Sequence, residues 1–389
     1  VGRFAGNSEG PCCHTWLDSS TRRRSQTRAP EGTRRSQLEC PSDSFLERPL
    51  NVYKNWLRPT LFRLDPEQAH DLAIDLAART SDLSFVDEAL RRSTAVRDPR
   101  LRVDLDGLSF ETPVGLAAGY DKSGRAVDGL SALGFGHIEV GSVSRDPSDG
   151  NPKPRLFRLP EDEAVIVHYG LQNDGADVVR SRLLKRRTST PIGGNIVKTN
   201  RGIDAPAESA DEILREYVDA VRILHDCSDY LMLNLSCPNT EDGRDFFADP
   251  GNMREMMARL AEVTVQRPLY LKVSPLGGDE ALEQLLEAVE PFGFVRGFAF
   301  NLAPGVHASL RTDKRVWGEL RGALAGKPVE EQMNDRIRSL YGRMDRSRYA
   351  IIGVGGVSSG EDAYRKIRLG ASAVQLLTAL VYEGPWVVK

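Results

Sequence analysis

Eight short apolar runs, separated by helical or glycine-rich stretches, limit most strongly what this chain can become. They lie at Val114–Ala118, His137–Ser142, Ile192–Val197, Tyr230–Leu235, Leu269–Ser274, Val295–Asn301, Ala350–Val354 and Ala373–Leu377. Helical periodicity between them is clearest at Ile213–Leu224 and Ala281–Val289, where Ala281, Leu282, Leu285, Leu286 and Val289 share a face. Runs apolar on both faces suit a parallel sheet covered on both sides. Eight strand–helix units fit the roughly 250 residues of a (β/α)8 barrel. A doubly wound sheet is the competitor, but no GxGxxG follows the first run. The expected fold class is α/β: a TIM barrel preceded by a small N-terminal helical segment.

In such a barrel the chemistry sits where the strands end. The first end, Ala117-Ala118-Gly119-Tyr120-Asp121-Lys122, combines small residues that let a flat ring approach with a cation at the mouth. The second ends in Gly141-Ser142, and the third carries Asn195 and then Lys198. Lys272 in the fifth is flanked by Leu271 and Val273; a lysine so placed needs a partner, and an anionic ligand is expected. The sixth ends in Asn301.

The fourth end is the densest in functional groups. Asn234, Ser236, Cys237, Asn239 and Thr240 follow one another within a few residues of an apolar strand. Pro238 stiffens the backbone beside the thiol. A buried structural cysteine is the plainer reading, but the polar neighbours favour a reactive site.

The seventh end, Gly353-Val-Gly355-Gly356, and the hydroxyl of Thr378 after the eighth form the pattern of a phosphate cradle, in which free N–H groups bind a dianion. Phosphate at one end, Lys272 and Asn234 near the centre and Lys122 across the mouth suit a phosphorylated planar cofactor with a second ligand stacked on it. Flavin mononucleotide (FMN) fits, with a lysine near the N1–C2=O edge of the ring.

A formal charge of −3 gives no reason to expect nucleic acid, and five cysteines without CxxC spacing argue against a disulfide scaffold or zinc. No metal site is expected: His168 has no carboxylate–histidine spacing around it. Cys227 reads as buried, and no run of eighteen apolar residues exists to span a membrane.

Residues 1–50 are rich in Arg, Ser, Thr and Pro and poor in aliphatic residues, so disorder is expected. Glu9, Asp18, Glu31 and Glu39 argue against a transit peptide, and an opening Val suits a misplaced start. Residues 51–98 read as an amphipathic helical pair, the second helix capped by Asp65 with Pro66 at its first position. Tyr53, Trp56, Leu57 and Phe62 interleave with Lys54, Arg58 and Arg63, which suits either packing on the barrel or an interfacial foot on lipid. His70 on this pair is expected to be surface or packing. Lys153 and Arg155 read equally as a brace over the site or as a solvated loop. The barrel domain is expected over 99–389.

From about Tyr53 onward the chain resembles the dihydroorotate dehydrogenase family, most closely its membrane-associated, quinone-using class. The matching stretches are Gly115-Leu-Ala-Ala-Gly-Tyr-Asp-Lys122, Gly134-Phe-Gly136, Gly150-Asn-Pro-Lys-Pro-Arg-Leu-Phe-Arg158, Asn234-Leu-Ser-Cys-Pro-Asn239, Ile351-Ile-Gly-Val-Gly-Gly356 and Gly370-Ala-Ser-Ala-Val-Gln375. The resemblance implies oxidation of dihydroorotate to orotate in pyrimidine synthesis, with FMN as cofactor and quinone as acceptor. It also implies a peripheral membrane location, held through residues 51–80 and facing the cytoplasm, with a cytoplasmic location as the alternative. By position, Ala118, Gly119, Lys122, Ser142, Asn195, Asn234, Lys272, Gly326, Gly356 and Thr378 would contact FMN. Lys122, Asn234, Asn239 and Asn301 would hold the substrate, and Cys237 would be the catalytic base.

The chain departs from the family at several points. Cys237 replaces the serine usual in the quinone-using class, Val167 an expected substrate amide, Leu302 a threonine and Leu377 a common tyrosine. The family's last helix is expected to be short, because the chain stops at Lys389. Two alternatives stay open: a related FMN barrel with another dihydro-ring substrate or a soluble acceptor, and a flavin-binding paralogue without turnover.

Overall fold

All eight apolar runs become the staves of a closed parallel barrel. They are β1 (Val114–Leu116), β2 (His137–Val143), β3 (Ile192–Ile196), β4 (Tyr230–Asn234), β5 (Leu269–Val273), β6 (Val295–Phe300), β7 (Ala350–Val354) and β8 (Ala373–Leu376). The computed structural model describes residues 52–202, 204–237, 246–263, 265–306 and 308–389, all in one compact unit. The expectations for residues 1–50 and for Asn239 fall outside these.

The strands follow one another around the barrel in chain order, and β8 closes on β1. Helices cover the outside, among them Ala210–Leu224, Gly278–Val289 and Glu330–Arg343. Ser209 and Glu212 form a reciprocal cap at the start of the first, which fixes where that helix begins. Tyr230, Met232, Tyr270, Ala299, Ala350 and Ile352 form a separate apolar cluster from strand residues that alternate along β4 and β7.

The end of the barrel where the strands begin is closed by an antiparallel hairpin, Val103–Leu105 with Leu108–Phe110. Phe110 stacks on His137 with ring centroids 4.6 Å apart. Asp106 at the turn accepts from the Tyr270 hydroxyl and, at 2.7 Å, from Arg296 Nε.

At the other end, two excursions meet in a three-stranded antiparallel sheet absent from the sequence reading. Leu156–Leu159 pairs with Ala164–Val167, which pairs with Ala323–Gly326.

The N-terminal segment holds the helical turns Tyr53–Leu57 and Arg58–Leu61 and the helix Pro66–Thr80. Asp65 caps the latter as expected, accepting from the N–H groups of Glu67 and Gln68. A further helix, Ser84–Thr94, takes the segment beyond the expected pair. The first turns dock on the end of the chain. Tyr53 donates to Val381 O at 2.8 Å, Arg58 donates to Tyr382 O at 3.0 Å, and Lys54 pairs with Glu383 at 2.6 Å.

Candidate active site

Register places the central groups. Asn234 and Lys272 are direct partners on adjacent strands, so both side chains leave β4 and β5 at the same level and on the same face. Asn234 Nδ2 donates to Ser142 Oγ at 2.9 Å, and Ser142 Oγ donates to Asn195 Oδ1 at 2.5 Å. Asn301 Nδ2 donates to Asn234 Oδ1 at 2.7 Å and to Ser236 O at 3.0 Å. The Tyr217 hydroxyl donates to Asn234 O at 2.6 Å from the covering helix. One hydrogen-bonded chain therefore ties the ends of β2, β3, β4 and β6, and each amide has its orientation fixed by a neighbour.

These groups form the floor of a cavity of about 280 Å³. Its far wall is glycine-rich. Gly355 and Gly356 have φ of +87° and +77°, and a Cβ on Gly356 would stand 2.4 Å from Glu330 Cβ. Only glycine permits that turn and that approach. Gly326 comes in from the excursion sheet: a Cβ there would lie 3.1 Å from Thr378 Cγ2. Gln375 Oε1, also in the wall, is buried without a hydrogen-bond partner among the described residues.

Cys237 lines the same cavity as Gly356 and Thr378, and its thiol is buried. Ala118, Gly119, Lys122, Ser142, Asn234, Lys272, Gly326 and Asn301 line it too. Asn195 does not line it; it sits fully buried behind Ser142 and acts on the cavity only through that hydroxyl. Lys272 has an internal partner that its sequence context did not reveal. Its Nζ stands 3.6 Å from Oε1 of the fully buried Glu139, so its place in the barrel does not by itself require an anionic ligand. Lys198, read as a strand-end cation, is buried in an ion pair with Glu208.

On the mouth side, Lys122 Nζ lies 4.0 Å above the centre of the Tyr169 ring and 3.1 Å from His70 Nε2. Burial pushes the Lys122 pKa down to about 8, although the charges of Asp71, Glu67 and Asp121 work the other way. Burial first, and the Lys122 charge second, hold His70 well below its usual range, so the ring is neutral at pH 7 and can accept from the ammonium. His70 thus faces the cavity rather than serving as surface or packing. The signal that would have found it is tertiary, because the lysine it meets lies at the end of β1.

Arg155 and Lys153 act as a brace. Arg155 donates to both Glu67 oxygens, at 2.8 Å from Nη2, and to Asp149 O, Asn151 O and Gln172 Oε1; Lys153 reaches Glu67 at 3.1 Å. Burial alone would raise the Glu67 carboxyl, but hydrogen bonds from Arg155 and Lys153 bring it below its ordinary value. Arg158 donates to Leu61 O at 3.2 Å and lies 4.5 Å over the Phe62 ring, pinning the turn before Pro66. The cavity continues between these helices past Tyr53, Phe62, Ala69 and Ala73.

Comparison with known proteins agrees with this architecture. The dihydroorotate dehydrogenase family model matches residues 100–389. The chain is 40% identical over 337 residues to the dihydroorotate dehydrogenase (quinone) of Natronomonas pharaonis, covering 86% of this chain and 91% of that protein. It is 38% identical over 357 residues to the mitochondrial dihydroorotate dehydrogenase (quinone) of Mus musculus, covering 87% and 84%. Ligand-free DHODH from Eimeria tenella superposes with a TM-score of 0.71 at 31% identity, covering 83% of this chain and 92% of that one. Fold and site together define a (β/α)8-barrel oxidoreductase. Within that class, the chain belongs to the dihydroorotate dehydrogenase family.

Proposed function

We propose that this chain oxidises dihydroorotate to orotate with FMN as cofactor and passes the electrons to quinone, in pyrimidine synthesis. One observation carries the reading: the glycine cradle, Lys272, Asn234 and Cys237 all line a single cavity. The residues fit FMN, because the cradle excludes any Cβ at Gly356 and Gln375 Oε1 is left in the wall for a donor. Gly326, Gly356 and Thr378 would hold the phosphate, and Ala118, Gly119, Ser142, Asn234 and Lys272 would face the ring, with Asn195 orienting Ser142. When bound, FMN supplies an acceptor for the hydride that leaves C6 of the substrate.

The protein's own groups do the rest. Asn234 and Asn301, together with Asn239, hold the dihydropyrimidine, and Lys122 faces its carboxylate. Cys237 removes the proton from C5 as general base, and its buried position keeps bulk water from competing. Quinone would enter between the N-terminal helices, whose apolar inner faces extend the cavity.

The outer face of those helices leaves Trp56, Leu72, Leu76, Leu83 and Phe85 exposed, Phe85 by 84%. Such a patch suits peripheral attachment to a lipid surface. Among the described residues no helix is long and apolar enough to cross a membrane. Binding to anionic lipid vesicles, lost in Trp56→Ser/Phe85→Ser, tests the attachment.

Anaerobic dihydroorotate should bleach the flavin of the purified protein, and a quinone should restore the colour. A flavin that stays oxidised sinks the reading. A second reading has one specific support: Val167 and Leu302 present apolar side chains to the cavity. If dihydroorotate fails while a less polar dihydro ring bleaches the flavin, that reading replaces the first.

A further inference from the structure

Glu139, the internal partner of Lys272, lies within β2 and is fully buried. A carboxylate inside a barrel needs compensation by donors or by opposite charge. Its Oε1 accepts from Asn195 Nδ2 at 2.7 Å, and its Oε2 accepts from Gln375 Nε2 at 2.9 Å. The Tyr230 hydroxyl stands 3.5 Å from Oε2. All three donors are neutral, and they come from β3, β8 and β4.

Opposite charge comes from Lys272 on β5, 3.6 Å away. That separation is beyond the usual hydrogen-bond range, yet short enough for strong attraction in a low-dielectric interior. Neutral amides thus satisfy the carboxylate, while the ammonium keeps its N–H donors for what stands in the cavity it lines. Asn195 and Gln375 each touch Glu139, and through Ser142 and the cavity wall each also reaches the site.

We propose that Glu139 is a positioning residue that holds the Lys272 ammonium at the cavity floor and offsets its charge, setting the reduction potential of bound flavin below what Lys272 alone would give. The inference rests on the FMN reading above. Reduction places negative charge on the ring; a cation in contact favours it, and a fixed anion behind the cation opposes it. Removing the anion therefore makes reduction easier, whereas removing the cation makes it harder.

The test is the midpoint potential of flavin-loaded protein, read by dye equilibration without turnover. Glu139→Gln should favour two-electron reduction at least tenfold, a rise of about 30 mV for a two-electron couple. Removing one member of a buried pair threatens folding. The double variant Glu139→Gln/Lys272→Met, which leaves neither charge unpaired, is therefore read as well: because the two charges offset each other, its potential should lie closer to the parent's than that of Lys272→Met. Lys272→Met alone should fall below the parent protein. Unchanged potentials on removal of the Glu139 charge, in both backgrounds, overturn the proposal and leave the FMN reading standing. A parent protein that takes up no FMN overturns the FMN reading instead.

Discussion

His70 Nε2 stands 3.1 Å from Lys122 Nζ, joining a helix that precedes the barrel to the end of its first strand. A neutral imidazole accepts from a lysine whose own proton is held loosely, because burial has brought its pKa to about 8.

That loosened proton has a kinetic consequence. Below pH 8 the lysine is charged and can face the substrate carboxylate; above it, the charge is lost. We expect kcat/KM for dihydroorotate to fall about tenfold per pH unit above 8, because this ratio reports free-enzyme pKa values. Lys122→Met should lower the plateau and remove that limb. A profile level to pH 10 in the parent protein excludes Lys122 from substrate recognition.

Cys237→Ala should leave flavin content normal and slow flavin reduction by dihydroorotate about 10²–10⁴-fold, the usual worth of a positioned base. Stopped-flow absorbance under anaerobic conditions reads the rate directly. An unchanged rate removes the thiol from the mechanism.

Gly356→Ala forces a Cβ to within 2.4 Å of Glu330 Cβ at a φ of +77°. The turn must open, at a cost of about 1–3 kcal/mol in strain. Flavin should be largely absent from the purified variant, whereas Gly360→Ala, where a Cβ meets nothing, should retain it. Equal occupancy in the two would show that the cradle does not hold the cofactor.

Glu67→Ala strips Arg155 and Lys153 of their shared carboxylate and leaves the buried Arg155 guanidinium without a counter-charge, held only by the neutral acceptors Asp149 O, Asn151 O and Gln172 Oε1. Loss of one partner of a buried pair costs about 3–5 kcal/mol. We expect that loss in chemical denaturation, together with slower reoxidation by quinone than reduction by dihydroorotate. Parent-like stability would mean the brace is dispensable.

His137 is buried with neither ring nitrogen hydrogen-bonded among the described residues, and burial lowers its pKa to about 3. The unfolded chain binds this proton near pH 6.5 while the folded chain does not, so stability declines as pH falls from about 6.5 toward 3. At pH 4.5 the deficit from this one ring is about 2–3 kcal/mol. Denaturation of His137→Phe at pH 7 and 4.5 should show a smaller loss than the parent; parallel losses would contradict it.

How far the sequence could be read depended on which contacts are local. All eight staves were visible because each is a continuous apolar run bounded by turn residues, and their edges moved by only a residue or two, as with Val114–Ala118 against Val114–Leu116. The cradle was visible because glycines at a strand end have few other uses. The excursion sheet was not, since its third member, Ala323–Gly326, joins from beyond β6 and only that distant pairing completes it. Glu139 was passed over because His137–Ser142 was read as one more apolar stave, and the groups that answer its carboxylate, Asn195, Gln375 and Lys272, come from three other strands. His70 and Glu67 were recognisable as helix residues, but their partners Lys122 and Arg155 come from other parts of the chain.

The hairpin that stacks Phe110 on His137 and anchors Asp106 to Tyr270 and Arg296 makes the barrel a shaft with a sealed base. Whatever goes in must back out past the same rim. Access to the cavity is therefore governed by the helices and loops around that rim, not by the staves beneath.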